Sequence, residues 1–208
     1  MRKSVMTHQF SRVPQADIQR SSFDRSHGHK TAFDGGDLVP IFVDEVLPGD
    51  TFNLKMDGFA RLATPIYPVM DNMFLETFFF FVPYRLVWSN FRKFMGEQDN
   101  PSDSTDFTIP TVTFPTGVGE ESVGDYMGLP TKINNTVCSA LPLRAYALIY
   151  NEWFRDQNLQ DSIPIEKGDS GDVLSNLTEI RKRGKRHDYF TSCLPWPQKG
   201  TSVDIPIG

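Results

Sequence analysis

Residues 73–82 read MFLETFFFFV and end in an uninterrupted apolar run, Phe78–Val82. Aromatic residues dominate the stretch, and apolar side chains occupy both alternating sets of positions, so neither face of a strand would be polar. We therefore predict a β-strand that is covered on both faces. One cover would be the rest of the domain, and the other a helix or a neighbouring chain. Left exposed, such a run would promote aggregation.

Two further strand candidates precede this stretch. Residues 38–46 are strand-like, and the Pro-Gly-Asp sequence at 48–50 supplies a turn. In the second candidate, at about 51–63, apolar residues occupy every second position from Phe52 to Met56. This alternation is typical of a sheet with one solvated face.

Helical patterns and an acidic region follow. Apolar spacings of three and four predict a short helix over 84–95, a longer one over about 140–158, and a second helix at 173–180. Residues 97–126 contain seven acidic residues and no Lys or Arg, which indicates a solvated loop with a short strand at 107–114. With four strand candidates and two or three helices, the chain is mainly β but cannot complete a closed barrel alone.

Composition and charge narrow the class of protein. The 208 residues are 39% hydrophobic, yet no stretch approaches the roughly 20 apolar residues of a membrane span, and the N-terminus lacks a secretory signal. Six cations and two carboxylates give residues 1–30 a charge of +4, so the total of −5 leaves −9 for the remainder. We interpret residues 1–36 as a basic, extended arm on an acidic body.

The sequence contains little that resembles a catalytic or metal site. His27 and His29 alternate without a nearby Cys or carboxylate cluster, so they are weak evidence for a metal. Cys138 and Cys193 lie 55 positions apart, and we predict two reduced, buried thiols. A cysteine nucleophile paired with His187 is a further hypothesis, although no flanking residue activates either thiol. We predict no catalytic, cofactor-binding or metal site.

Two basic segments suggest contact with nucleic acid, because cations can neutralise phosphates and nearby aromatic rings can stack on bases. The run 181–186 holds five cations, and aromatic residues follow it. Its alternative roles are neutralisation of a helix end, or salt bridges with acidic loops of another subunit. The alternative interpretation of the arm is a frayed tail. The candidate residues are Arg2, Lys3, Arg12, Arg20, Arg181, Lys182, Arg183, Lys185 and Arg186.

Several stretches resemble one family, the major capsid proteins of gokushoviruses, a branch of the Microviridae. They reach nearly from end to end, and the weakest resemblance falls between residues 100 and 134. The family's protein is considerably longer, so the chain resembles its N-terminal portion and lacks the later barrel strands and the surface-protrusion insertion. The matching stretches are FDRSHGHKT (23–31), LVP (38–40), VDEVLPGDT (43–51), FARLATP (59–65), residues 70–81, YNEWFRDQNLQ (150–160) and RGKRHDYFTSCLPWPQKG (183–200).

The resemblance implies a viral jelly roll, an antiparallel β-sandwich or barrel with long loops and a few inserted helices, of which residues 37–208 form an incomplete part. It further implies identical subunits that assemble, in the cytoplasm of a bacterial host, into a small icosahedral virion shell around circular single-stranded DNA. A viral scaffolding protein or small DNA-binding protein would be a partner; no cofactor or membrane is expected. Candidate interface residues are Phe23, Arg25, His27, His29, Trp88 and Trp196.

A different class of protein also fits the basic and aromatic residues, namely a monomeric module that binds single-stranded nucleic acid. The two hypotheses differ in oligomeric state, because only a capsid subunit must form pentamers or larger assemblies. Sedimentation of the purified protein therefore separates them.

Overall fold

The structure, a computed structural model, describes residues 19–184 and 200–201. The chain divides into two units, Met1–Lys30 and Thr31–Gly208. In the first unit, residues 19–30 form neither helix nor strand, and every one of their side chains is exposed.

In the second unit the described elements are short and lie between residues 84 and 178. Helix α4 continues directly into one π-helical turn, in which the backbone hydrogen bonds span five residues. In chain order the elements are α1 (Tyr84–Val87), α2 (Phe91–Phe94), β1 (Thr111–Phe114), α3 (Val123–Tyr126), β2 (Thr136–Ser139), α4 (Leu141–Ile149), the π-turn (Tyr150–Phe154) and α5 (Leu174–Thr178).

The described sheet has two antiparallel strands, β1 and β2, in which Val112 lies opposite Cys138 and Phe114 opposite Thr136. Side chains alternate along a strand, so the two apolar residues of β1 are buried while its two threonines are exposed. A short strand was predicted at 107–114, and the observed ladder is confined to the last four residues of that range.

Helix α4 forms where the apolar stripe predicted it. Pro142 lies in its first turn, where no backbone donor is required, and Leu143 and Ala147 are buried. The helical segment ends at Phe154 rather than near residue 158. The reason is local, because the Asp156 carboxylate accepts a bond from the Asn158 backbone, and the Asp156 carbonyl accepts one from Gln160 N.

The core lies between the sheet and helices α4 and α5. Trp88, Val87 and Leu141 form a second, smaller cluster beneath α1. The buried residues of the main cluster are Val112, Phe114, Val118, Val123, Ala140, Leu143, Ala147, Tyr150, Ile163 and Leu177.

The strands predicted at 38–46, 51–63 and 73–82 are not formed in the described chain. The pairing observed nearby is a single antiparallel bridge between Asp37 and Lys182. A strand needs a neighbour for its backbone groups, and no strand ladder joins these segments to another part of the described chain. The turn predicted at 48–50, after the first of these segments, is confirmed, since Asp50 N donates to Leu47 O at 3.1 Å.

Candidate functional site

Apolar side chains are exposed throughout residues 43–81, which we call the apolar belt. Phe59, Ile66 and Met70 are each more than 90% exposed. Apolar exposure on this scale marks contact sites for other polypeptide. The exposed members are Val43, Val46, Leu47, Phe52, Leu54, Met56, Phe59, Leu62, Ile66, Tyr67, Val69, Met70, Met73, Phe74, Leu75, Phe78, Phe79 and Phe81.

The belt is attached to the folded core at its aromatic end. The ring of Phe78 meets Phe154 edge-on, with 5.3 Å between centroids, and Phe80 lies 5.6 Å from Trp153 and 5.8 Å from Phe154. Edge-to-face and tilted geometries are favourable for aromatic pairs. The π-turn therefore provides the surface on which part of the apolar run rests.

A cation completes this attachment. Arg183 pairs with the carboxylate of Glu76, and its guanidinium lies 5.5 Å from the Phe78 ring centroid and 5.9 Å from that of Phe154. Both distances are in the range of a cation–π interaction. Arg183 was predicted to contact nucleic acid, and here it contacts the chain's own aromatic residues.

Tyr146 on α4 joins two distant backbone segments. Its hydroxyl donates to Leu38 O and accepts from Arg181 N, each at 3.0 Å. Burial raises the pKa of Tyr146 to about 12, because the phenolate would lose its hydration there. The tyrosine thus holds the segments on either side of the Asp37–Lys182 bridge against the helix.

A buried ion pair organises the loop after residue 166. Arg144, with no exposed surface, donates from Nε (2.9 Å) and from Nη2 (2.6 Å) to the two carboxylate oxygens of Asp172. Its Nη1 donates to Val87 O and Gly168 O. No pattern in the sequence predicted this pair. The one hint in the sequence was that Arg144 lies between apolar neighbours on α4, which indicates a buried charge in need of a partner.

Trp88, a candidate for contact between subunits, lies in the core. Its side chain is completely buried, and its Nε1 donates to the Asp169 carboxylate at 2.6 Å. The same carboxylate accepts from Asn90 Nδ2 at 2.9 Å. Because Trp88 presents no surface to another chain, its role is to fix the 167–172 loop rather than to form a subunit contact.

The described cations of the basic run are paired with acids of the same chain. Arg181 pairs with Glu179 at 3.0 Å, and Lys182 lies 3.8 Å from Asp37. Together with the Arg183–Glu76 pair, these contacts are ion pairs within one chain. Contact of the run with DNA or with another subunit stays a prediction. The candidates Arg2, Lys3, Arg12, Lys185, Arg186 and Trp196 lie outside the described residues.

The remaining candidates lie in residues 19–30 and are exposed. Arg20, Arg25, His27 and His29 all present their side chains to solvent, and Phe23 is 79% exposed. These residues are therefore accessible to a partner, as the predictions for DNA contact and subunit contact both require.

The described thiol has the character of a packing residue. Cys138 is half-buried on β2, and burial raises the pKa of its thiol, which disfavours the nucleophilic thiolate. Cys193 and His187 lie outside the described residues. Within residues 19–184 and 200–201, no group of three His, Cys, Asp or Glu side chains is arranged to hold a metal ion. In the same part of the chain, no helix is both long and apolar enough to cross a membrane.

Comparison of the sequence with known families places the chain among viral coat proteins. The profile of the Phage_F family, described as capsid protein (F protein), matches residues 11–208, and the chain belongs to this family.

Its curated relatives are each named capsid protein VP1. That of Bdellovibrio phage phiMH2K is 55% identical over 202 residues, covering 97% of this chain and 38% of the relative. That of Chlamydia phage 1 is 49% identical over 225 residues, covering 98% of this chain and 38% of the relative. That of Spiroplasma virus 4 is 36% identical over 220 residues, covering 99% of this chain and 39% of the relative. The resemblance to gokushovirus capsid proteins is confirmed, and the chain spans about two fifths of these relatives' length.

Proposed function

We propose that this chain acts as part of a major capsid protein, a structural subunit that self-assembles into a small icosahedral shell around circular single-stranded DNA. The observation that carries the proposal is the apolar belt, which is exposed in a chain whose core is otherwise well packed. Family membership and the name of the relatives, capsid protein VP1, support the same function. The place of action would be the virion, after assembly in a bacterial host.

The belt gives assembly its driving force in this proposal. Covering one large apolar side chain stabilises an interface by about 1.5 to 3 kcal/mol, so contacts along residues 43–81 would sum to a strong association. The segments predicted as strands at 38–46, 51–63 and 73–82 would find their backbone partners in additional polypeptide. A viral jelly roll, with two antiparallel sheets and long connecting loops, is the architecture that we propose for the completed domain.

For DNA we propose a sequence-independent contact through the basic arm, residues 1–36. Arg2, Lys3, Arg12 and Arg20 would lie on the inner side of the shell and neutralise phosphates. For the run 181–186 the role is weaker, since Arg181, Lys182 and Arg183 pair with carboxylates that compete with phosphate. A scaffolding protein or small DNA-binding protein is a further proposed partner.

Sedimentation velocity over a range of protein concentrations tests the assembly proposal. We expect pentamers or larger species, and we expect the double variant Phe79→Ser/Phe81→Ser to shift the distribution toward monomer. The matched control is Leu159→Ser, which removes an apolar side chain of similar exposure outside the belt. A chain that stays monomeric and melts cooperatively at high concentration would contradict the proposal, and DNA binding by that monomer would favour the nucleic-acid-binding module.

Binding of single-stranded DNA at several salt concentrations tests the role of the arm. The logarithm of the binding constant falls linearly with the logarithm of the salt concentration. Replacing Arg2, Lys3, Arg12 and Arg20 by Ser should make the slope of this line shallower by about 0.7 for each phosphate that is no longer neutralised. Arg92→Ser is the control, since it removes an exposed cation that pairs with Glu97 far along the chain. An unchanged slope in the fourfold variant would exclude these residues from the DNA contact.

A further inference from the structure

Four segments that are far apart in sequence meet at Arg183. Its backbone N donates to Gly36 O at 2.9 Å, and the next residue, Gly184, donates to Phe154 O at 2.7 Å. Its side chain reaches Glu76 and the ring of Phe78. The meeting point therefore joins the residues after the first unit, the aromatic end of the apolar belt, the π-turn and the start of the basic run.

The backbone at this point is fixed on both sides. A Cβ atom on Gly184 would lie 2.8 Å from Phe154 O, closer than such atoms can approach without a shift of the backbone, and would make a tight contact of 3.1 Å with Asp156 N. Only glycine lets the segment pass this close to the end of the π-turn. Because residue 184 is held there, the guanidinium of Arg183 is directed across Phe154 and Phe78 toward Glu76.

The interactions of Arg183 hold a segment that remains largely exposed. Phe78 and Phe80 touch the π-turn, whereas their neighbours Phe79 and Phe81 are 53% and 73% exposed. The Arg183 and Glu76 side chains are themselves 34% and 36% exposed, so dissolved salt can screen their attraction. The attachment is thus partly electrostatic and accessible to solvent.

We propose that Arg183 is a positioning residue and that, with Glu76, it forms a salt-sensitive clasp. The closed clasp keeps residues 76–80 on the π-turn, and its opening releases the aromatic segment for contact with other polypeptide. The clasp itself depends on contacts within the chain, whereas its effect on the order of assembly rests on the proposed capsid function.

Limited proteolysis with chymotrypsin at low protein concentration tests the clasp, because cleavage after Phe78 and Phe80 requires the segment to leave the π-turn. We expect Glu76→Gln and Arg183→Met to accelerate these two cuts about threefold or more at low salt. The wild-type rate should rise with salt and approach that of the variants. Arg183→Lys should restore part of the protection, since it keeps the positive charge.

Two controls make the result specific. Glu97→Gln breaks another exposed ion pair, that with Arg92, and should leave the cuts unchanged. Cleavage after Phe59, which is 91% exposed, should be equal in all variants. If Glu76→Gln is cut after Phe78 and Phe80 at the wild-type rate, and if this rate depends on salt as it does in the wild type, the clasp does not exist. A clasp that behaves as expected in a chain that never self-associates would instead count against the capsid function, so the two failures are distinguishable.

Discussion

The two apolar regions of the molecule, the core around α4 and the apolar belt, differ in the exposure of their side chains. In the core, Leu143, Ala147 and Phe114 are buried against one another within the chain. In the belt, most of the large apolar side chains of residues 43–81 remain exposed. The core closes by contacts within the chain, whereas the belt is left exposed, as the proposed assembly with other polypeptide requires.

The polar contacts follow the same division. In the core region a buried ion pair and the bond from Trp88 to Asp169 tie helices α1 and α4 to the 167–172 loop. The ion pair that attaches the belt to the basic run, between Glu76 and Arg183, is exposed. Breaking a polar contact should therefore be costly in the first region and inexpensive in the second.

The largest expected effect is that of Arg144→Met, which leaves the Asp172 carboxylate buried without its partner. We expect a loss of about 3 to 5 kcal/mol in the free energy of unfolding, measured by denaturant titration at low protein concentration. The double variant Arg144→Met/Asp172→Leu should recover much of the loss, because no charge is then left unpaired. Equal losses in the single and double variants would contradict this interpretation of the pair.

A matched pair of phenylalanines tests the comparison directly. Phe114→Ala should reduce the free energy of unfolding by roughly 3 kcal/mol, since the side chain is 2% exposed in the main core. Phe79→Ala removes the same group from the belt, where it is 53% exposed, and should change the stability of the monomer by less than about 0.5 kcal/mol. Similar losses at both positions would mean that the belt belongs to the cooperative core.

A smaller effect is expected from Tyr146→Phe, about 1 to 2 kcal/mol, because the Leu38 carbonyl and the Arg181 amide lose their shared partner. The change should also alter the pH dependence of unfolding. Because the pKa of Tyr146 is raised from 10.0 to about 12, its contribution is complete below pH 10 and is lost as the pH rises through 12. The variant should therefore show a shallower loss of stability in this range, and an identical loss would contradict the assignment.

The smallest expected effect concerns the rate at which the Cys138 thiol is alkylated. The thiol of Cys138 should react slowly with iodoacetamide at neutral pH, because burial raises its pKa and keeps it protonated. Mass spectrometry of the labelled peptides, with the unfolded protein as the reference for full reactivity, measures this rate. Rapid labelling of Cys138 in the folded protein would revive the cysteine-nucleophile hypothesis.

Local patterns in the sequence predicted most of the helices and little of the sheet. Helix α3 was missed, since it lies in the range predicted as a solvated loop. The stripe around Leu143 and Ala147 predicted α4, and the pattern at 173–180 predicted α5, because the required periodicity lies within each segment. The helix expected over 84–95 is divided into α1 and α2 around Trp88. Strand β2 was missed, since four residues carry too little alternation to distinguish them from a loop.

The contacts of the candidate site could not be predicted because the partners are far apart in the sequence. Arg144 and Asp172 are 28 positions apart, and Arg183 and Glu76 are 107 apart, so no local pattern links them. The exposed aromatic run itself was visible in the sequence, and so was its need for cover. What the sequence could not supply is which polypeptide provides that cover.

Hydroxyl-radical footprinting of the dilute chain and of its assembled fraction tests most directly whether the belt is covered by other polypeptide. Phe59, Ile66 and Met70 should be oxidised rapidly in the monomer and strongly protected after assembly, while Met95, exposed outside the belt, should react equally in both. Equal oxidation of the three belt residues in both fractions would contradict the account.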